Sequence, residues 1–196
     1  MPDTPALDPN HTALLLLDYQ NGIVAQLPDG DALVERAVAA VGNVRDRGVR
    51  IGWIRLAFND TDLAAIPGRS IFSPMATRQR QPDLHTDAPA TQIDSRLTPR
   101  PGDITVRKTR VGAFSTTDLH QQLRAHAITT VVLAGISTSG VVLTTVREAM
   151  DLDYQIVVLR DACADRDPYV HDFLTERLFP AHSFVTTVGA LDALWA

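Results

Sequence analysis

The chain has 196 residues, 45% of them apolar, which is enough for one domain with a substantial core. Eighteen basic against 23 acidic residues leave a formal charge of −5, so no cationic stripe is available to displace counterions from a nucleic acid, and small molecules are the expected ligands. The leucine run from Leu14 to Leu17 follows no cationic segment, is closed by Asp18 and falls far short of the ~20 apolar residues of a membrane span. A single cysteine excludes an intrachain disulfide framework and fits a cytoplasmic protein.

In chain order, Ala13 to Leu17 reads as a buried strand, and Asp31 to Arg47 as an amphipathic helix with Leu33, Ala37, Val38, Val41 and Val44 near one face. Val49 to Leu56 is a second strand. Asn59 to Asp103 then breaks the rhythm: it has no sustained period and carries six of the twelve prolines, Pro67, Pro74, Pro82, Pro89, Pro99 and Pro101. A loop this long in a compact domain predicts a lid or an oligomer contact, with a decorated surface insertion as the plainer alternative. Ile104 to Arg107 is a third strand, Thr117 to Ala125 a helix, Thr130 to Ala134 a fourth strand and Ser139 to Leu152 a helix. Gln155 to Leu159 is a fifth strand, Tyr169 to Leu178 a helix, Ser183 to Val185 a sixth strand, and Ala190 to Trp195 a closing helical turn. This alternation predicts a single α/β domain over 1–196, built as three α/β/α layers around a six-stranded, mostly parallel, Rossmann-like sheet. Strand order does not follow from it.

Three polar segments fall at strand ends, where ligands bind in open α/β sheets because helix amino termini begin there. Asp18 follows the first strand in Asp18-Tyr19-Gln20-Asn21. Lys108 closes the third and opens a K-x-R-x-x-A-F-x-x-T-x-L pattern running to Leu119, and the fourth leads into Gly135-Ile136-Ser137-Thr138-Ser139-Gly140-Val141-Val142. In this order, the three segments resemble the isochorismatase-like hydrolases, also called the cysteine hydrolase superfamily, along nearly the whole chain. The resemblance implies a six-stranded parallel sheet, assembly as a homodimer or homotetramer, Asp18 as catalytic acid or base, and Lys108 as the lysine that orients it. It also implies a cis peptide between Ile136 and Ser137, and an oxyanion hole made by the backbone N–H groups of Ser137 and Val141. The family's nucleophilic cysteine falls at Val141, whose side chain has no nucleophilic atom.

Cys163 lies beyond the fifth strand among Asp161, Asp165 and Asp167, whose charges would raise a thiol pKa, so it reads as a small, partly buried residue. Ser137, Thr138 and Ser139 are alternative hydroxyl nucleophiles, but an activated serine needs a base and no histidine is close in sequence. The six histidines form no metal-ligand spacing, and Leu56-Ala57-Phe58-Asn59-Asp60 lacks the Asp-x-His metal segment of similar nicotinamidases. No metal or other cofactor is expected. Tyr19, Phe58, Phe114 and Ser139 are the expected pocket residues around a small organic substrate. Partial burial raises the pKa of an aspartate and a nearby lysine lowers it, so the sequence leaves open whether Asp18 protonates a vinyl ether or activates water against an amide or ester. The alternatives are a retired enzyme that binds a metabolite or serves as an oligomeric scaffold, and a serine-assisted amidase.

Overall fold

The computed structural model describes residues 4–76 and 83–196; Pro82 and its neighbours 77–81 in the long loop lie outside the described residues. The strands are β1 (Thr12–Leu17), β2 (Arg50–Leu56), β3 (Ile104–Lys108), β4 (Thr130–Ile136), β5 (Gln155–Ala164) and β6 (Phe184–Thr186), forming one sheet in the order β3-β2-β1-β4-β5-β6 with every pair parallel. The helices are α1 (Asn21–Val24), α2 (Gly30–Arg45), α3 (Asp60–Ala64), α4 (Ser73–Ala76), α5 (Leu119–Ala125), α6 (Leu143–Asp151) and α7 (Pro168–Phe173). None is long and apolar enough to cross a membrane among the described residues.

The period-2 alternation of strands divides the core into two layers. Leu15 and Leu17 of β1 and Val131 and Leu133 of β4 face the side covered by α5 and α6, packing with Leu119, Leu123, Val146 and Ala149. Leu14, Leu16, Val132 and Ala134 face the opposite side, with Leu33, Val34, Ala37 and Val44 of α2. Both faces of β1 and β4 are therefore buried, which is why these strands read as continuous apolar runs rather than alternating ones.

The chain lays down β1, β2 and β3 in one direction, then returns to place β4 on the other flank of β1. The strand order reverses between β1 and β4, and the crevice at their carboxyl ends is the switch point where such sheets bind ligands. Leu17 is opposite Gly135 across that crevice. A Cβ at Gly135 would stand 2.7 Å from Leu17 Cβ and 3.0 Å from the Leu17 carbonyl oxygen, backbone and core groups with no room to retreat. Gly135→Ala is expected to cost about 1–3 kcal/mol by overpacking, read as a shift in the urea midpoint.

The structure departs from the sequence expectation at element ends. β5 continues past Leu159 to Ala164 because an irregularity between Leu133 and Gly135 on β4 absorbs the polar Arg160 and Asp161, after which Gly135 pairs with Cys163. The helix expected from Ser139 begins instead as a π-helical turn, Thr138–Val142, before α6. The helix expected over Tyr169 to Leu178 divides into α7 and a second π-turn, Leu174–Leu178. Within the long loop, Asn59 and Asp62 form a reciprocal capping box on α3. The buried Gln20 side chain ties the interior of the loop to the end of β2, donating to the Leu56 and Thr91 carbonyls at 2.9 Å each and accepting from the Leu56 N–H at 2.7 Å.

Candidate active site

Asp18 leaves β1 in the left-handed region, φ 61°, which aspartate tolerates better than most non-glycine residues and which is enriched at functional turns. Its N–H donates to the Ile54 carbonyl at 2.9 Å, holding this turn against the end of β2. Lys108 is the last residue of β3, two strands away in the sheet. Strand spacing of ~4.8 Å puts about 10 Å between these backbone positions, a gap a long lysine side chain spans and a shorter cation would not. Lys108 Nζ reaches across to Asp18 Oδ2 at 2.8 Å and donates to the carbonyls of Val111 at 3.0 Å and Arg110 at 3.2 Å, so all three of its protons have acceptors.

Both side chains are nearly dry, 1% and 6% exposed for Lys108 and Asp18. Burial disfavours a carboxylate and raises the Asp18 pKa above its ordinary value; the Lys108 ammonium, and more weakly the Leu56 backbone, oppose that rise without cancelling it. Asp18 Oδ1 is buried and has no hydrogen-bond partner among the described residues.

A cavity of about 410 Å³ opens over this pair. The β4–α6 turn supplies Ile136, Ser137, Ser139, Gly140 and Val141 to its wall, and the peptide between Ile136 and Ser137 is cis. Asp18, Lys108, Ser137, Ser139 and Val141, separate in sequence, thus meet at one site, and no cysteine is in the lining. Tyr19, Phe58 and Phe114, expected at the pocket, lie outside this lining. Tyr19 follows Asp18 on the opposite side of the chain, packs with the α2 layer and donates its hydroxyl to the Ala162 carbonyl. Phe58 is fully buried with Leu63, Ile66 and Phe72 under the long loop, and Phe114 stacks on Tyr154 with centroids 5.8 Å apart. The aromatic residue that does line the cavity is Phe72, in a segment with no periodicity to single it out.

Asp165 and Arg166, just past β5, complete the wall; reading β5 as ending at Leu159 hid their place at a strand end. Ser139 donates both its N–H and its hydroxyl to Asp165 Oδ2, at 2.7 and 2.6 Å. Arg166 is exposed and has no hydrogen-bond or ion-pair partner among the described residues. The sequence places no histidine near the turn, but the fold does: His171 of α7 is hydrogen-bonded through Nδ1 to Thr138 Oγ1 at 2.8 Å. Burial, ahead of weaker neighbouring charges, holds the His171 pKa below its ordinary value. Thr138 is fully buried and outside the cavity lining, so this pair braces the turn and offers no accessible nucleophile.

Cys163 sits behind Gly135 in the α5/α6 core layer, and burial pushes its thiol up to about 12, with Asp161 adding to the rise and a Gly135 backbone hydrogen bond opposing it. A thiol so protonated is a poor nucleophile. Cys163→Ala is expected to keep turnover within about twofold, and iodoacetamide should label the native thiol only as fast as the protein opens. Among the described residues, no group of three or more His, Cys, Asp or Glu side chains could hold a metal ion.

Residues 12–190 match the isochorismatase domain, and the chain belongs to the isochorismatase family of hydrolases. It is 32% identical over 186 residues to the ureidoacrylate amidohydrolase RutB of Cronobacter turicensis, covering 85% of this chain and 80% of that protein. It is 30% identical over 171 residues to a probable inactive nicotinamidase of Arabidopsis thaliana, covering 82% and 84%. The structure of an isochorismatase family protein from Burkholderia thailandensis superposes with a TM-score of 0.83 at 29% identity, over 98% of each chain.

Proposed function

We propose that this protein is a hydrolase of small organic substrates that works by acid–base catalysis at Asp18 and Lys108, with no covalent cysteine intermediate and with Val141 at the family's nucleophile position. The observation that carries the reading is the buried, unpartnered Oδ1 of Asp18 on a side chain whose other oxygen is already engaged by Lys108. An orphaned buried oxygen costs about 1–3 kcal/mol unless a substrate or water pairs with it, and the place of Asp18 in the cavity wall lets a substrate supply that partner.

The raised pKa favours the protonated acid, which suits a proton donor. Asp18 would transfer its proton to the terminal carbon of a vinyl ether, leaving an oxocarbenium ion and a carboxylate stabilised by Lys108. Water adds to the cationic carbon and its proton returns to Asp18; the hemiketal collapses to a carbonyl compound and an alcohol. No enzyme nucleophile enters this sequence. The free guanidinium of Arg166 at the cavity wall favours a substrate carrying a negative charge.

A second reading, water attack on an amide or ester with Asp18 as base, is favoured by the positions of Ser137 and Val141 in the same lining, where their N–H groups would receive the oxyanion, and by the amidohydrolase among the relatives. A mass-spectrometric turnover screen against vinyl ethers, carbamates, amides and esters, each with and without a carboxylate, tests both. Cleavage of a carboxylated vinyl ether supports the first and cleavage of an amide the second. Silence across the panel, with the same compounds still raising the melting temperature, would instead indicate a retired metabolite-binding protein.

A further inference from the structure

We infer that Glu148, on α6 and outside the cavity lining, is a positioning residue that holds the Asp18–Lys108 pair in register with the Ser137–Val141 turn; this rests on the acid–base reading above. Two of the three acceptors of Lys108 Nζ are the carbonyls of Arg110 and Val111, so the loop after β3 sets the direction of the ammonium. The next part of that loop is held in turn from α6. The Glu148 carboxylate accepts from the N–H of Phe114 at 3.0 Å through Oε2 and from the N–H of Ser115 at 3.2 Å through Oε1, while Thr145, one residue short of a turn earlier, accepts from the N–H of Ala113 at 3.3 Å.

Three successive backbone donors therefore converge on one helix face, and two of them bond to a carboxylate, the stronger kind of hydrogen bond. The chain comes so close that a Cβ on Gly112 would collide with the Glu148 carboxylate, a contact only glycine permits without displacing it. The helix that carries Glu148 grows directly out of the π-turn containing Gly140 and Val141. One rigid element thus connects the wall where a substrate oxygen would sit to the loop that aims Lys108, and hence Asp18. A bare structural brace could have attached this loop anywhere; attachment to this helix fixes the distance between the two halves of the site.

The test uses the full chain and the best substrate from the screen, comparing Glu148→Gln, Thr145→Val and Asp18→Asn. Glutamine can accept from one N–H but presents an NH₂ to the other, so Glu148→Gln is expected to lower kcat about 10- to 100-fold with KM changed less than about threefold, because displacement of catalytic groups by ~1 Å costs up to about 10². Thr145→Val should move the same parameter in the same direction by less. Both variants should also shift the pH midpoint of kcat/KM that Asp18 governs. If Asp18→Asn abolishes turnover while folded Glu148→Gln and Thr145→Val keep both kcat and the pH midpoint, the positioning role is wrong and the acid–base reading stands. If Asp18→Asn is itself without effect, the acid–base reading fails first. Should Glu148→Gln not fold, Thr145→Val alone decides, its unchanged kcat and midpoint overturning the inference.

Discussion

Asp18→Asn is expected to lower kcat/KM by about 10²- to 10⁴-fold, the range that a positioned proton-transfer group contributes. Asparagine is nearly isosteric and its oxygen still accepts from Lys108, so the β1 turn and the cavity should persist, and circular dichroism of the variant should match the parent. What it loses is the transferable proton. If Asp18 is the proton donor, its raised pKa sets the pH dependence: a donor is competent below that pKa, so turnover should be highest on the acid side and fall as pH rises through it. If Asp18 acted as base the same limb would run the other way. The sign of that limb therefore separates the two chemistries on any substrate that turns over.

The second large effect is on stability. Lys108→Met removes the ammonium from a nearly buried carboxyl group, and breaking a buried pair on one side costs about 3–5 kcal/mol where the remaining partner is charged. The cost should depend on pH. Because burial raises the folded-state pKa of Asp18 above the unfolded 3.8, its contribution to stability is fully present below that value and is lost as pH rises through the folded pKa. Without Lys108, which opposes the rise, the folded pKa climbs further and the loss extends to higher pH. Urea unfolding at several pH values should find wild type and Lys108→Met closest in acid and increasingly separated towards neutrality. Asp18→Asn combined with Lys108→Met, which leaves no buried charge and keeps a side chain suited to φ 61°, should recover most of the stability and remain inactive. A fold that loses little stability with both residues gone would be keeping them for chemistry rather than for packing.

Much of this site is legible in the sequence because it lies at strand ends. Leu14 to Leu17 and Val131 to Ala134 are apolar without interruption since both sheet faces are covered, and the first polar residues after them, Asp18 and the Ser137 to Ser139 turn, necessarily sit at the crevice. Lys108 is legible for the same reason, although its partnership with Asp18 is not, because the order β3-β2-β1 depends on crossovers that leave no local pattern. Arg160 and Asp161 read as the end of β5, whereas an irregular register carries the strand past them and delivers Asp165 and Arg166 to the cavity. Aromatic residues next to strand ends suggest a pocket, but alternation turns Tyr19 into the opposite layer, and Phe58 and Phe114 fill core beneath loops. The bond between Thr138 and His171 spans 33 residues, and no spacing rule anticipates it. Glu148 reads as an ordinary polar helix position until Gly112 and the three N–H groups beyond it are seen folded against it.

The most direct test of a cysteine-free mechanism is the intact mass of the wild-type protein, acid-quenched at intervals during turnover of the best substrate from the screen. A mass equal to that of the resting protein at every time point, while product accumulates in the wild type and not in Asp18→Asn, is the expected result. A transient increase matching a substrate fragment, mapped by peptide digestion to Ser139 or Cys163, would contradict it and establish covalent catalysis instead.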